Sequence, residues 1–451
     1  MNLPSPIIED LTQLAGFDAD AFLQAHQQPA VVSIRLNPAK QGVVPNGSTQ
    51  VPWCPDGYYL GERPVFTLDP AFHAGAYYVQ EPSSMFIHTI LSQLVKGRKG
   101  LRVLDLCAAP GGKSTLIASA LDAESLLISN EVIRARAGIL DENMTRWGHP
   151  NTFVTCNDPR SFSNLKGYFD IILVDAPCSG SGLFRKDPRA LAEWSIDNVN
   201  LCANRQERIL SDILPALKKD GHLIYATCSF STAEDEAILD WLAEHEDMAG
   251  MAVEISPDWG IVTTNSAKHR VPGYRFMPQN LQGEGFFAAV MKKTAGTSEF
   301  YYPKFKTEQD KKAAAQASWL LAENDWVYLK TSPDSYTAIP ACHEPDYQAL
   351  AKHLYFRKAG IRAGMPSQKE WIPDHDVALS IAASGDISSI HLSREEALKF
   401  LKKEEFPVPD GEKGWRIVKY QENGLGWVKL LGNRANNYLP KQWRIRMEIE
   451  E

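Results

Sequence analysis

Two cysteines sit in short motifs that each follow an apolar, strand-like run. Cys178 lies in VDAPCSGSGLFRKDP (174–188) and Cys228 in YATCSFSTAEDE (225–236). A thiolate is a strong nucleophile and a usable base. Taken singly, a cysteine in such a run is more often a small core residue.

A third motif, VLDLCAAPGGKS (103–114), reads as strand, Gly-rich turn and helix. Such a turn lets the backbone approach a ligand at a helix N-terminus. It ends in GKS, but a phosphate-binding P-loop needs glycine where Cys107 stands, and GxGxxG is absent. Glu131 ends the next strand-like run, where an acid binds ribose hydroxyls. Asp158 follows the third run, where adenine would lie. A Gly turn and two acids suit an adenosyl ligand without phosphates, S-adenosylmethionine. A Rossmann-like enzyme for another nucleotide is the alternative at this point.

Two cysteines at matching strand ends, beside a site for a methyl donor, read as a reactive pair rather than as core. Paired thiols beside a methyl donor have a chemical rationale in cytosine. C5 of that ring is not nucleophilic. A thiolate adding to C6 makes the ring an enamine, and C5 can then attack a methyl sulfonium. Asp175 suits protonation or hydrogen bonding at N3. A second thiol near C5 can act as the base that removes the C5 proton, or promote release.

These motifs need a frame to hold them. LRVLDL (101–106), SLLISNE (125–131), TFVTC (152–156), FDIILVD (169–175), HLIYATC (222–228) and FFAAVMKK (286–293) read as strands. Between them, helices are expected from a Ser83 or Ser84 cap to Gly97, then over 112–121, 133–147, about 189–217 and 234–244. Apolar strands alternating with amphipathic helices give a doubly wound, mostly parallel α/β sheet. In such a sheet ligands bind beyond the carboxyl ends of the strands. Ahead of it come a helical start (Ile7 to Phe22), the alternating VVSIRLNP run with Arg35 and Asn37, and a loop-rich stretch. After it, the text changes around 294–315. A Gly- and Trp-rich, β-like end follows, with Asn423-Gly424 as a turn signal.

Composition limits the setting. The 451 residues exceed one ordinary domain and, at 44% hydrophobic and 23% charged, can bury a sizeable core. No apolar run reaches bilayer length, and the acid- and proline-bearing start does not read as a signal peptide. Seven scattered cysteines without a CxxC pair argue against zinc fingers and disulfides and fit reduced cytoplasmic thiols. His73, His88 and His222 have no ligand spacing, so no metal is expected. A net charge of −8 disfavours bulk nucleic-acid binding. From Lys413 to Arg446, however, eight bases face one acid, Glu422. Trp415, Tyr420, Trp427, Tyr438 and Trp443 lie among them. That mixture suits phosphate contact and base stacking, or equally a β module with an aromatic core and a solvated basic face. The acids Glu234, Asp235 and Glu236 read as a helix cap after Ser231. Arg185 and Lys186 read as a phosphate contact or a solvated turn.

The runs CAAPGGK (107–113), DAPCSGSG (175–182) and ATCS (226–229), in this order, resemble the Sun/RsmF-type RNA cytosine-C5 methyltransferases. QEPSSM (80–85) and the SIRLNP run look like further family elements, and the likeness covers roughly residues 25–293. It implies Cys228 as nucleophile, Cys178 as release cysteine and Asp175 beside them. Cys107, Ala108, Ala109, Pro110, Gly111, Gly112, Lys113, Glu131, Arg136, Asp158 and Asp175 would bind S-adenosylmethionine. DNA cytosine methyltransferases use the Pro-Cys cysteine after the fourth strand, which would point to Cys178. The additional Thr-Cys-Ser at 227–229 favours RNA. Amino-group methyltransferases carry Asn/Asp-Pro-Pro-aromatic where this chain has Asp-Ala-Pro-Cys.

The tail GLGWVKLLGNRANNYLPKQWRIR (424–446) resembles that of RsmF-type enzymes, which act on small-subunit ribosomal RNA, and is related to PUA modules. The expected layout is an N-terminal RNA-binding α+β extension (1–82) and a Rossmann-like class I methyltransferase core (83–295). A linker (296–312) and a C-terminal region ending in a PUA-like module (313–451) follow. The expected partner of this monomer is ribosomal RNA or the small ribosomal subunit, with tRNA as the alternative substrate. A non-catalytic ribosome-assembly factor would lack a thiol or show a degraded Gly turn, and neither is seen.

Overall fold

A computed structural model describes residues 3–447 except 15, 305–308 and 334. Its centre is a mixed sheet. The strands are β1 (Arg102–Asp105), β2 (Leu126–Asn130), β3 (Thr152–Thr155), β4 (Phe169–Asp175) and β5 (Leu217–Thr227), then β6 (Met248–Met251), β7 (Val262–Asn265), β8 (Pro272–Phe276), β9 (Phe286–Lys293) and β10 (Phe356–Ala359). Their order is β7-β8-β9-β5-β4-β1-β2-β3-β10, with β6 also paired to β9. The pairs β5–β4, β4–β1, β1–β2 and β2–β3 are parallel. The order reverses at β1, which opens a crevice at the strand ends there.

The near-continuous apolar strands follow from burial on both faces. Alternate residues of β4 serve two separate cores: Ile172 and Val174 one, Ile171 and Leu173 the other. Helices α1 (Gly112–Ala120), α2 (Arg134–Trp147), α3 (Ile196–Ile213) and α4 (Glu236–His245) complete the wound core.

Several expected elements differ. The helix anticipated over 189–217 is broken: Asp187 caps a short helix Pro188–Glu193, Ser195 caps α3, and a turn containing Pro215 ends it. The start splits into helices Ser5–Leu11 and Ala19–Ala25, separated where Gly16 has φ 78° and Asp18 caps. Neither Ser83 nor Ser84 is a cap. Both donate their backbone N–H to the Glu81 carboxylate, at 2.9 and 2.8 Å. Asn423-Gly424 is not the hairpin turn. Gln421 and Glu422, at φ 47° and 64°, make it, and Asn423 bonds to Gln41 instead.

The N-terminal segment forms a four-stranded antiparallel sheet, ordered 49–50, 57–60, 32–36 and 77–79. It is wedged against the core by Arg35. That buried guanidinium lies 4.6 Å over the Trp147 ring of α2 and donates to Thr115 Oγ1 (2.6 Å) and Gly112 O (3.3 Å) of α1. Gln80 Oε1 accepts a further bond at 2.9 Å. Burial lowers its pKa to about 10. Within the stretch read as a linker, Phe300 packs 4.8 Å from Tyr168 of the core. The third region enters the central sheet through β10, antiparallel to β3. A four-stranded sheet (326–332, 335–340, 361–366, 371–373) precedes a terminal one (389–391, 413–420, 423–431, 435–437).

Replacing Arg35 with Ala should lower the free energy of unfolding by about 2 kcal/mol or more, because Thr115 and Gln80 lose a buried partner. Urea unfolding of the full chain measures this; an unchanged midpoint would show that Arg35 does not tie the segment to the core.

Candidate active site

The crevice begins at Asp105, the fully buried last residue of β1. Ser114 of α1 donates to its Oδ2 at 2.6 Å, while Oδ1 is buried without a hydrogen-bond partner. Burial pushes this carboxyl up to about 7, and the Asp175 and Glu131 charges add to the effect. The turn 107–113 leaves β1 here and is pinned where Ala108 N–H donates to Asn130 O at 2.8 Å. Gly111, at φ 118°, is the N-cap of α1 in a left-handed conformation that side chains resist. It makes no side-chain cap, so the first N–H groups of α1 are left to a ligand.

Glu131 follows β2 and is buried, taking the Ile133 N–H on Oε1 at 2.9 Å. Arg136 sits 3.4 Å from its other oxygen and donates to Ala109 O at 2.8 Å, joining the acid to the Gly turn. Asp158 stands farther out. It caps the turn Pro159–Phe162, and its bond to Arg160 holds its pKa low. Burial, with Asp105 nearby, pushes the Cys107 thiol up. Asp105, Glu131 and Asp175 line the crevice, two of them paired with Arg136 and Lys113. These carboxylates can accept hydrogen bonds from the hydroxyls and amine of a ligand. The residues therefore fit S-adenosylmethionine.

The thiols meet across β4 and β5. Their parallel register puts Val174 opposite Tyr225 and Asp175 opposite Ala226. Beyond the strand ends, Cys178 Sγ and Cys228 Sγ stand 3.1 Å apart. Gly182 N–H donates to Cys228 O at 2.9 Å. A Cβ on Gly182 would lie 2.8 Å from that oxygen and 2.5 Å from Gly285 O, so only glycine fits. The contact with Cys228 raises the Cys178 pKa well above that of a free thiol, and burial raises it further. Lys113, at the start of α1, donates to Asp175 Oδ2 at 2.8 Å. Burial works to lower the Lys113 pKa, but the Asp175 charge and hydrogen bond outweigh it and hold the lysine protonated.

The three acids after Ser231 do not act as a solvated cap. Glu234 and Asp235 are fully buried, and α4 starts only at Glu236. Asp235 takes Thr227 Oγ1 at 2.6 Å and pairs with Arg275 at 3.2 Å; Glu236 also pairs with Arg275. Glu234 turns toward the cysteine loops and accepts from Ser179 and Ser229. Arg185 is neither a phosphate contact nor a solvated turn. It is buried against Glu284 at 3.0 Å, whereas Lys186 is exposed. The sequence pattern singles out neither Asp105 nor Arg275, and it gives Glu234 only the role of a cap. Arg275, a charge inside the otherwise apolar PGYRF strand, was the available signal for buried acids nearby.

Of the C-terminal aromatics, Trp427 is core at 1% exposed, while Trp415, Tyr420 and Trp443 are half-buried. Trp415 donates to Glu370 at 3.1 Å, and Trp443 packs against His375 at 4.6 Å and beneath Arg146. Tyr438 is 38% exposed, and its ring lies 4.5 Å from Trp415. The bases divide as well. Lys429 pairs with Glu370 and Arg416 with Glu412, while Lys441, Arg444 and Arg446 join Lys403 around one groove. Among the described residues, no group of three or more His, Cys, Asp or Glu side chains is placed to hold a metal ion. No described helix is long and apolar enough to cross a membrane.

Family models match in three places: the N-terminal domain of 16S rRNA methyltransferase RsmF over residues 3–82, 16S rRNA methyltransferase RsmB/F over 92–292, and the methyltransferase RsmF PUA domain over 387–445. Ribosomal RNA small subunit methyltransferase F of Vibrio cholerae serotype O1 is 30% identical over 98% of both chains. The protein of that name from Escherichia coli O81 is 30% identical over 94% of this chain and 92% of its own. Among solved structures, a methyltransferase homolog protein from Pyrococcus horikoshii is 27% identical, with a TM-score of 0.55 over 64% of this chain and 95% of that one. NSun6 from Pyrococcus horikoshii with SFG shares the fold at 18% identity and a TM-score of 0.53, over 65% of this chain and 98% of that one. With both terminal domains and the catalytic core matched in order, this chain belongs to the RsmB/F family of 16S rRNA methyltransferases, with the domain set of RsmF.

Proposed function

We propose that the protein methylates C5 of a cytidine in small-subunit ribosomal RNA, using S-adenosylmethionine and a transient bond from Cys228 to C6. The observation that carries this reading is the pair of thiols 3.1 Å apart, with Asp175 at the end of the strand that leads to Cys178. The ribosomal substrate rests on relatives named for the small-subunit RNA and on the PUA-domain match.

Bound S-adenosylmethionine supplies an electrophilic methyl group. The Gly turn 107–113 and α1 would hold it, with Glu131 taking ribose hydroxyls, Arg136 bracing that acid against Ala109, and Asp158 at the adenine end. Cys228 sulfur adds to C6, its proton passing to N3 as the C5–C6 electron pair moves to C4–C5 and gives the enamine. Asp175, fixed by Lys113, accepts a hydrogen bond from that N3 proton and so favours the addition. Once Cys228 is bonded to carbon, its hydrogen bond no longer holds Cys178 up. Cys178 can then lose its proton to solvent and take the C5 proton, and the C6–sulfur bond breaks as the double bond returns and the N3 proton goes back to the Cys228 sulfur.

Two substitutions separate the roles. Cys228→Ala should lower turnover by about a thousandfold or more. Cys178→Ala should accumulate a covalent protein–RNA adduct that survives a denaturing gel. Full activity in Cys228→Ala would remove it as nucleophile, and no adduct in Cys178→Ala would remove that cysteine from release. Methylation of purified small ribosomal subunits, with tRNA inert, is the expected substrate pattern; the reverse pattern would keep the chemistry and move the substrate to tRNA. The raised pKa keeps Cys178 a thiol through neutral pH, so its reactivity should rise only in alkali. Iodoacetamide labelling of Cys178, followed by peptide mass spectrometry, should therefore be slow at neutral pH and speed up in alkali. Fast labelling of Cys178 at neutral pH would contradict this.

A further inference from the structure

We propose that Glu234 is a positioning residue that sets the distance between the two thiols by gripping both of their loops with one carboxylate. The β4–β5 register ends at Asp175 and Ala226, short of both cysteines, whose sulfurs are 3.1 Å apart. That separation is therefore set by the two loops beyond the strand ends. Glu234 bonds to both loops. Its Oε1 accepts the Ser179 N–H at 2.8 Å and the Gln206 Nε2 at 3.3 Å. Its Oε2 accepts the hydroxyls of Ser179 at 2.5 Å and Ser229 at 2.7 Å. Ser179 follows Cys178 and Ser229 follows Cys228, so one side chain holds the residue after each thiol.

The carboxylate is itself fixed. Tyr225 OH, on β5, donates to Glu234 O at 2.6 Å, and Gln206 of α3 also donates to Pro177 O at 3.1 Å, just before Cys178. Glu234, Ser229 and Gln206 are at most 1% exposed, so water does not compete for these bonds. The grip lies beside the reacting groups and touches neither sulfur. The Glu234 charge also adds to the rise of the Cys178 pKa, so loss of that charge alone would speed thiol oxidation. The grip acts in the opposite sense, through distance and aim, where an error of about 1 Å can cost about a hundredfold in rate.

The role in turnover rests on the proposed methylation, but thiol spacing can be read without RNA. Diamide takes two electrons and two protons from a pair of thiols as their S–S bond forms, and becomes the hydrazine. In the full-length protein, the Cys178–Cys228 disulfide should form about tenfold more slowly in Glu234→Ala than in the native chain, because both loops are released. Glu234→Gln, which keeps one acceptor, should fall between them. On RNA, Glu234→Ala should lose about a hundredfold in kcat while KM stays within about threefold. Asp240→Asn, a change on α4 away from the thiols, should leave both rates at the native level and control for general loosening of that helix. Native-rate disulfide formation in Glu234→Ala overturns the proposal whatever the RNA assay gives. Slowed disulfide formation with native kcat overturns the link to turnover. Loss of RNA methylation already in the native chain, with disulfide formation still dependent on Glu234, would count against the methylation reading and not against the grip. Where Glu234→Ala does not fold, Ser179→Ala and Ser229→Ala each remove one bond and should each slow the disulfide about threefold; no slowing in either would overturn the grip.

Discussion

The parallel pairing of β4 with β5 is the constraint on which the site depends. Its register sets Asp175 opposite Ala226, so the two strands end level and both cysteine loops emerge on the same side of the sheet. A slip by one residue would turn each apolar side chain to the opposite face, and both buried cores forbid it. The same end of the sheet carries Asp105 and the Gly turn from β1, so the crevice for a methyl donor and the thiols share one rim. Lys113 links the two by reaching from α1 to Asp175.

What surrounds this rim stiffens it. The N-terminal sheet sends Arg35 under the start of α1, beside the turn that would meet the ligand. On the far edge, β10 lengthens the sheet next to β3, and Tyr355 pairs through its backbone with Asn157, immediately before Asp158. Segments that look like appendages in the chain thus reach the catalytic sheet. On the remaining side, Arg275 neutralises Asp235 and Glu236 where water is absent and anchors Phe230 O, two residues after Cys228. Removing one member of such a group strands a buried charge.

The strands, the Gly turn and both thiols were legible because each is encoded locally, by an apolar run ended by a motif. β9 begins and ends where its sequence pattern places it, at Phe286 and Lys293. Glu234 was read as a helix cap because an acid after a serine has that local use, and its true partners are set by strand pairing far along the chain. The broken helix at Trp194 and the hairpin at Gln421-Glu422 were missed for a related reason. A serine cap and two left-handed non-glycine residues give weaker local signals than the apolar period or an Asn-Gly pair. Trp427 shows the opposite case: its type fits stacking on bases, and at 1% exposed it lies in the core instead.

Transfer of a methyl group to cytosine C5 can be read by bisulfite sequencing of total RNA from cells with and without the gene. One protected cytosine in small-subunit ribosomal RNA should lose its protection when the gene is removed. An unchanged pattern at every cytosine would mean that the protein does not carry out this reaction.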